Sequence, residues 1–547
     1  MYESDLKAAL ERALRKLGYS AVGAEVTPPK EPSHGDAATT LALGLAKREG
    51  RNPRELAQAI VDALEFPDGF VESVEIAGPG FINFRFAGPW YDRSLREIVR
   101  QGGSYGHTDV LAGKRIQVEF VSANPTGPLN VVSARAAAVG DAIASLLEAC
   151  GAEVGREFYV NDAGQQVEKL ALSVEARIRE IRGEPCRIPE GGYQGEYLKG
   201  VAAQIDAEHP DVLDLPDDER VKLMKREAVD AMVAEQKRGL SEFGVEFDRW
   251  FHESELATSG EVDAALERLK GTGETYDQDG ALWLRTTPHG TNDDKVLVKQ
   301  DGVPTYLLPD VAYHLNKFER GFDPAITLLG PDHHAHGAEM HAALDILAFP
   351  KERLEIQIIQ QVNFVEGGQK LKMSKREGKI VTLPELVADV GVDVAKFFFL
   401  MRKQTSHLDF DLDLAREQGE ENPVFYVQYA HARVASLIRF GVDRGAEVPS
   451  PDEVDLSDVT AGEARPLVLL LAEFPGFVER SALAREPHRL TTYLRDVSSR
   501  FHSYYHDHRI VTEDSGTTAA RLFLSEATRT VLANGLALLG VAAPERM

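Results

Sequence analysis

Residues 115–160 run strand, turn, helix, strand, and no other stretch restricts the fold as much. Ile116, Val118 and Phe120 alternate with Gln117 and Glu119, the period of a strand with one face buried. Ser122–Pro128 is polar and carries two prolines, so it reads as a turn. Val131–Cys150 is rich in alanine and free of proline, which predicts a helix, and Gly151 supplies its stop. Val154–Val160 reads as the second strand. A strand that passes through a helix into another strand opens a parallel, doubly wound α/β sheet. Ala325–Leu329 and Ile356–Val362 read as later strands of that sheet. From about residue 168 to 300 a long charged, helical stretch breaks the rhythm and reads as an insertion.

The flanking regions have different patterns. Leu6, Leu10, Leu14 and Leu17 share one helical face, and Asp36 is placed to cap a second helix. Asn52-Pro53 gives a third helix its cap and first-turn proline. Val71–Ile76 and Phe81–Phe86 flank Gly78-Pro79-Gly80, a hairpin signal. After about Phe410, the segments Tyr426–Phe440, Arg465–Ala482, Arg489–His506 and Thr518–Leu539 carry apolar residues at three/four spacing, which predicts a helical bundle. The expected organisation is an N-terminal α+β domain over 1–110, a Rossmann-type α/β domain over 111–409 and an all-α domain over 410–547. That suits 547 residues at roughly 100–200 per domain.

Composition removes several function classes. With 43% hydrophobic and 27% charged residues, the chain is neither a fibre nor a disordered polymer. Its two cysteines, Cys150 and Cys186, lie far apart; they exclude a cysteine zinc site and suit a reducing compartment. No apolar stretch reaches the ~20 residues of a bilayer span, and the charged start lacks a signal-peptide core. The reading is a soluble, cytoplasmic protein without a membrane partner. Sixty-one Lys+Arg against 87 Asp+Glu give a net charge of −26, which argues against indiscriminate nucleic-acid binding. A shaped RNA met by local basic patches remains compatible. After Lys403 every strongly basic residue is arginine; genomic base composition explains that blandly, bidentate phosphate contact functionally.

The strongest local signal is Lys372-Met373-Ser374-Lys375, preceded by Gly367-Gly368 and followed by Gly378. Two lysines on such a loop can close over a triphosphate and place cations where charge develops as pyrophosphate leaves. The bland alternative is a solvated basic loop, which the flanking glycines and the preceding β-run disfavour.

This tetrapeptide resembles the second signature of class I aminoacyl-tRNA synthetases. The segment from Glu119 through Ser122-Ala123-Asn124-Pro125-Thr126-Gly127-Pro128-Leu129 to Arg135 resembles arginyl-tRNA synthetases in particular. So do Ala77–Phe84, Phe158–Gly164, Thr305–Asp310, Asn422–Arg433 and the terminal Ala543–Met547, in that order along the chain. The departure is in the first signature, where the family's histidine-x-glycine-histidine is replaced by Asn130-Val131-Val132-Ser133.

The resemblance implies an arginine–tRNA ligase that uses ATP with Mg²⁺ as a substrate complex, without protein-bound zinc. Its partners would be L-arginine, ATP and arginine-accepting tRNA, and the chain would act as a monomer. Glu119, Asn124, Tyr306 and Asp310 are implied to bind arginine; carboxylates and a flat aromatic edge suit a planar guanidinium with five donors. Lys372, Ser374 and Lys375 are the implied catalytic residues, joined by Asn130 and Ser133. Asn130, Ser133, Asp332, His333, Met373 and Lys375 are the implied ATP set. Asn130 and Ser133 are expected to keep serving the phosphates, helped by free N–H groups at a helix start. A metal reading of His333, His334, His336 and His341 has no supporting motif. Tyr426, Gln428, Tyr429, Arg433 and Met547 are implied to meet tRNA, with Tyr504 and Tyr505 as weaker candidates; aromatic faces stack on unpaired bases. Two alternatives stay open: a tRNA-binding paralogue without ligase activity, and transfer of arginine to another acceptor.

Overall fold

The computed structural model describes residues 2–19, 23–29, 31–371 and 382–547. At its centre is a five-stranded parallel sheet: β1 (Arg115–Glu119), β2 (Glu153–Val160), β3 (Arg249–His252), β4 (Ala325–Leu329) and β5 (Leu354–Ile358), in spatial order 5-4-1-2-3. The chain moves outward from β1 to β3, then crosses back to β4 and β5. The order therefore reverses between β1 and β4, and in open α/β sheets the crevice at that switch point, outside the carboxyl ends, receives ligands. Helix α1 (Val131–Ala149) connects β1 to β2. It lies so close to the sheet that a Cβ at Gly140 would sit 2.2 Å from the Phe120 ring, so no larger residue fits there without displacement.

The expected single insertion is corrected. Helices Gln165–Ile181, Tyr197–Glu208 and Asp217–Glu242 share an apolar core of their own, built on Leu170, Val174, Leu198 and Met224. The chain then re-enters the sheet as β3, paired in parallel with β2, before leaving again for two short helices and a small antiparallel sheet, Thr275–Gln278, Ala281–Leu284 and Lys295–Val298. The four residues of β3 are too short and too polar, with Arg249 and His252 at its ends, to stand out in a charged region. Ile356–Val362 also divides. Leu354–Ile358 is β5, whereas Val362–Glu366 begins a second sheet with Gln369–Lys370 and Leu408–Asp411.

In the N-terminal region Asn52 caps Pro53–Ala63, accepting from Arg54 N at 2.9 Å and Glu55 N at 3.4 Å. Asp36 caps no helix; its carboxylate accepts from Phe86 N at 2.6 Å and fastens the edge of a strand. The expected helix Arg465–Ala482 breaks at Glu473 into Arg465–Ala472 and Phe474–Ala484. The N-terminal region packs directly on the helical bundle. Arg480 pairs with Glu3 at 2.5 Å, and the Asn534 amide donates to the carbonyls of Gly102 and Tyr105 at 2.8 and 2.9 Å.

Arg135, in α1, is completely buried. Its Nη1 donates to the carbonyl oxygens of Gln360 (2.8 Å) and Ser406 (3.0 Å), and its Nη2 to that of Lys403 (3.1 Å). Burial pulls its pKa down to about 10, still well above neutrality, so the guanidinium stays charged. One side chain thus ties α1 to the segment after β5 and to the segment that leads into the helical bundle. Each carbonyl left buried without a donor costs about 1–3 kcal/mol. Arg135→Met is therefore expected to lower stability by about 3 kcal/mol or more in a denaturant titration followed by circular dichroism. An unchanged midpoint would show that the three carbonyls find other donors.

Candidate active site

The carboxyl ends of the five strands carry most of the polar side chains singled out in the sequence. Immediately after β1 the backbone turns through Val121 (φ 69°) and Ser122 (φ 42°). Non-glycine residues in the left-handed region cost about 1–3 kcal/mol each and concentrate at ligand sites. The turn is pinned from both sides: Ser122 Oγ donates to Glu119 Oε1 at 2.9 Å and accepts from Tyr159 N at 3.2 Å.

Beneath this turn lies a layer of buried ion pairs. Helix α2 (Leu307–Glu319) sends Lys317 Nζ, with no exposure, to Glu119 Oε2 at 2.5 Å. Arg320 clamps Glu157 at 2.5 and 2.9 Å, and the Tyr313 hydroxyl donates to the same carboxylate at 2.7 Å. Burial alone would raise the pKa of Glu157, but the Arg320 bonds and charge outweigh it and hold the pKa below the ordinary range. Glu119 is consequently not a free carboxylate. Its charge is already matched by Lys317, which corrects the expectation that it stands open to a guanidinium.

Tyr306 and Asp310 do share a helical turn. Pro309 falls in the first turn of α2, where its missing N–H has no intrahelical acceptor anyway. Tyr306 is 65% exposed, and its hydroxyl donates to Glu339 Oε2 at 3.1 Å. Asp310 Oδ2 meets His336 Nε2 at 2.8 Å, and Lys295 meets Glu339 at 2.9 Å; His336 and Glu339 belong to α3 (His334–Ile346). Burial opposes protonation of His336, but the hydrogen bond and charge of Asp310, then Glu339 and Glu119, prevail and raise its pKa.

Glu253, at the end of β3, was missed in the sequence. The Tyr159 hydroxyl and, with its amide turned to satisfy both groups, Asn161 at 3.0 Å are its donors. Among the described residues it has no cationic partner. Burial, then the charge of Asp310, pushes its carboxyl up to about 7, with Asp162 adding to the effect and the Tyr159 bond opposing it. The available signal was the dipeptide His252-Glu253 at the end of an apolar pair, Trp250-Phe251, and it was concealed by reading the region as an insertion.

Asn124, Asn130 and Ser133 line one cavity of about 1180 Å³, closed on one side by Tyr193 and Tyr197 of the helical insertion. The Tyr197 hydroxyl donates to Thr126 O at 2.6 Å, and the Gln236 amide to Asn124 O and Gly127 O at 3.0 and 3.1 Å. Asn130 is the N-cap of α1: its Oδ1 accepts from Val132 N (2.9 Å) and Ser133 N (3.1 Å). This corrects the expectation of free N–H groups at that helix start. The asparagine oxygen occupies two of them. Asn130 also bridges Thr382, and Leu383 N donates to Leu129 O at 2.8 Å, joining the first signature to the segment beyond the lysine loop. Asp332 and His333 are exposed after β4. Lys372, Met373, Ser374 and Lys375 lie outside the described residues, as does the side chain of His334.

In the helical domain, α4 (Pro423–Val442) presents Tyr426, Tyr429 and Arg433 on one face. Arg433 Nη1 donates to the Tyr429 hydroxyl at 2.6 Å and its guanidinium lies over the Tyr505 ring. Helix α5 (His488–Asp507) adds His502, 5.2 Å from the Tyr426 ring and 6.0 Å from the Tyr429 ring, with a buried, unpartnered Nε2. Gln428 points elsewhere: it is buried, and its amide donates to Asp393 Oδ2 (2.8 Å) and Ala542 O (2.9 Å). It is a strut that fixes the chain's last residues, which corrects its placement among RNA contacts. Tyr504 is core, stacked on His508, and Met547 is 52% exposed.

Comparison with known proteins covers every part of this architecture. The family description "tRNA synthetases class I (R), catalytic domain" matches residues 94–408, "Arginyl tRNA synthetase N terminal domain" matches 3–86, and "DALR anticodon binding domain" matches 427–547. The chain is 45% identical to the arginine–tRNA ligase of Carboxydothermus hydrogenoformans over 99% of its own length and 98% of that protein. It is also 45% identical to that of Symbiobacterium thermophilum, over 100% and 99%. The solved arginyl-tRNA synthetase of Thermus thermophilus superposes with a TM-score of 0.79 over the whole of both chains at 23% identity, a likeness of fold.

The raised pKa of Glu253 makes stability depend on pH. An unfolded glutamate titrates near 4.5 and the folded one near 7, so the native state holds an extra proton between those values. That contribution is present below 4.5 and is lost as pH rises through 7. Glu253→Gln lacks the titration. Its stability relative to the unmodified protein is expected to increase from pH 5 to pH 8, by about 1–3 kcal/mol, in parallel denaturant titrations. A difference that stays constant with pH would remove the shifted carboxyl.

Proposed function

Because the chain belongs to the arginyl-tRNA synthetase family and is an arginine–tRNA ligase, we propose that the carboxylates at the sheet's switch point read the guanidinium of arginine, while the adjoining cavity takes ATP and the 3′ end of tRNA. Neither a ligase-inactive paralogue nor transfer to another acceptor finds support. ATP enters with a divalent cation as its substrate complex. We assign that cation to magnesium, held chiefly through phosphate oxygens, with no resident zinc, and the working unit to a cytoplasmic monomer.

One observation carries the arginine assignment. In a cluster whose other carboxylates each hold a cation, Glu253 has none among the described residues, and burial and Asp310 push its carboxyl up to about 7. A guanidinium brings five donors in a plane and a permanent charge, which suits the missing partner. Asp310 and Glu253 bind its fork, Tyr306 covers its face, and Asn124 orients the α-amino or carboxylate end. Glu119 acts one step removed by holding Lys317.

The arginine carboxylate oxygen then attacks the α-phosphorus of ATP, the bond to pyrophosphate breaks, and an adenylate forms. A hydroxyl of the terminal tRNA ribose attacks the activated carbonyl, and AMP leaves. Positioning and charge stabilisation suffice for both steps. By resemblance, Lys372 and Lys375 stabilise the departing pyrophosphate, with Ser374 and Met373 on the same loop, and Asp332 and His333 border the nucleotide. The N-terminal domain meets the tRNA elbow, and Tyr426, Tyr429, Arg433 and Met547 meet the anticodon.

Charging of purified arginine-accepting tRNA with labelled arginine tests the whole reading; a protein that does not charge it overturns the assignment of these sites. Asp310→Asn should raise the KM for arginine roughly 10- to 150-fold, the equivalent of a charge-assisted hydrogen bond of ~1.5–3 kcal/mol, and leave the KM for ATP near its original value. Equal small effects on both substrates would remove Asp310 from the arginine pocket.

Asn130 requires a sharper variant, because alanine would also remove the cap. Asn130→Asp keeps an N-cap acceptor of similar strength but replaces the amide donor with a negative charge. It should retain thermal stability while raising the KM for ATP about tenfold or more in tRNA-dependent pyrophosphate exchange. Unchanged exchange would mean that this side chain caps α1 and does nothing else.

A further inference from the structure

The first turn of α3 places a histidine between two carboxylates. His336 Nε2 meets Asp310 Oδ2 at 2.8 Å, and its Nδ1 lies 4.0 Å from Glu339 Oε2. The second distance is too long for a hydrogen bond, and Nδ1 is buried without a partner among the described residues. An imidazole that donates from Nε2 has two states. In the neutral state Nδ1 carries a lone pair, which here faces a carboxylate and no donor. In the charged state Nδ1 carries a hydrogen, which the Glu339 charge attracts. The geometry therefore favours the imidazolium. Burial opposes that charge, but Asp310, then Glu339 and Glu119, outweigh it.

The charges around the ring balance only if His336 is counted. Glu339 has Lys295 at 2.9 Å, and Glu119 has Lys317 at 2.5 Å. Asp310 has this imidazole alone among the described residues. The other groups that face His336 carry no competing charge. Tyr306, its ring 5.5 Å away, is a neutral phenol that donates to Glu339. His314, on α2, is held neutral by burial and by Lys317. His333 is exposed, with its ring 6.2 Å away.

We infer that His336 is a positioning residue for the substrate: as an imidazolium it supplies Asp310 with a cation before arginine arrives, and it gives up its Nδ1 proton to solvent when the guanidinium takes that role. This rests on the reading of Asp310 as an arginine ligand. A guanidinium cannot lose its proton, so of two cations drawn to one carboxylate the imidazolium is the one that yields. The neutral ring keeps its Nε2–H bond and holds Asp310 Oδ2, which leaves Oδ1 for the fork. Arginine binding is thus coupled to release of a proton. The charged imidazole is lost as pH rises through its raised pKa, so affinity for arginine rises with pH and then levels off.

Titration calorimetry with arginine at about pH 6.5, in two buffers of different ionisation enthalpy, counts the protons released. The pKa of His336 lies above 6.5, so more than half of it is charged at that pH. His336→Gln keeps an amide donor for Asp310 but has no titrating proton, and should release fewer protons than the unmodified protein by about half a proton or more. The fall of log KM for arginine with pH, followed from about 5.5 to 6.5, should become shallower by about 1 per pH unit, while the KM for ATP keeps its pH dependence. Glu253→Gln removes the other group able to release a proton on binding, and should still release about half a proton. Release that is undiminished in His336→Gln, or absent in Glu253→Gln, overturns the inference, and the second result stands even if the first variant does not fold. Asp310→Asn separates the two readings: if it leaves arginine binding unchanged, the pocket assignment itself has failed.

Discussion

A guanidinium with no access to water holds the two halves of this enzyme in register. Arg135 stands on the helix that follows the first signature, and its three acceptors are backbone carbonyls at Gln360, Lys403 and Ser406. The first precedes the strand that leads toward the lysine loop; the other two lie on the route into the helical domain. Backbone carbonyls cannot turn away as side chains can, so bonding three of them with one rigid fork fixes two chain segments relative to α1. The first signature, the second sheet and the 401–407 segment therefore cannot shift independently.

The charge pattern of the proposed arginine pocket follows from the same economy of partners. Lys317, Arg320, Lys295 and His336 match Glu119, Glu157, Glu339 and Asp310. One of those pairs, Lys317–Glu119, is buried at both partners, where an unmatched charge costs several kcal/mol. Glu253 is the exception. Burial and the charge of Asp310 push its carboxyl up to about 7, and no cation among the described residues offsets them, so protonated and ionised forms coexist near neutral pH. In the proposed arginine pocket a permanent cation would be favoured over a neutral side chain of the same size, since it would pull Glu253 toward its ionised form. A lysine substrate would bring charge but not the planar fork, so shape and charge discriminate together.

Much of this was legible in the sequence, and the failures share a cause. The βαβ unit, the hairpin around Gly78-Pro79-Gly80, the Asn52 cap and the helical C-terminal region each rest on local pattern, which tertiary packing had no reason to override. β3 was lost because a four-residue edge strand has no period to display, and with it went Glu253, whose role depends on where the strand ends. Gln428 was misplaced because a glutamine beside two tyrosines looks like part of a reading face. Its burial against Ala542 and Asp393 is a property of the folded terminus, which no spacing encodes. Glu119 was located correctly at the end of β1, but its partner Lys317 lies 198 residues away, so its neutralisation could not be read locally.

The altered first signature is best understood through the cap that Asn130 provides. A helix start leaves N–H groups unsatisfied, and asparagine is among the residues that satisfy them best. In this chain the side-chain oxygen of Asn130 takes two of those donors, and the residue lines the cavity. The exchange therefore gives up the positive charge that an imidazole can carry and gains a turn held by the amide oxygen of its cap. Val131 is buried and Val132 half-buried beside it, so two branched side chains stiffen the same turn. If Asn130 serves the phosphates as proposed, rigidity of this kind lowers the cost of holding one without adding charge to it, and the neutral donor then depends on cations elsewhere in the cleft for the charge stabilisation that pyrophosphate departure requires. On the proposed reading, that dependence places the greater electrostatic burden on the lysine loop.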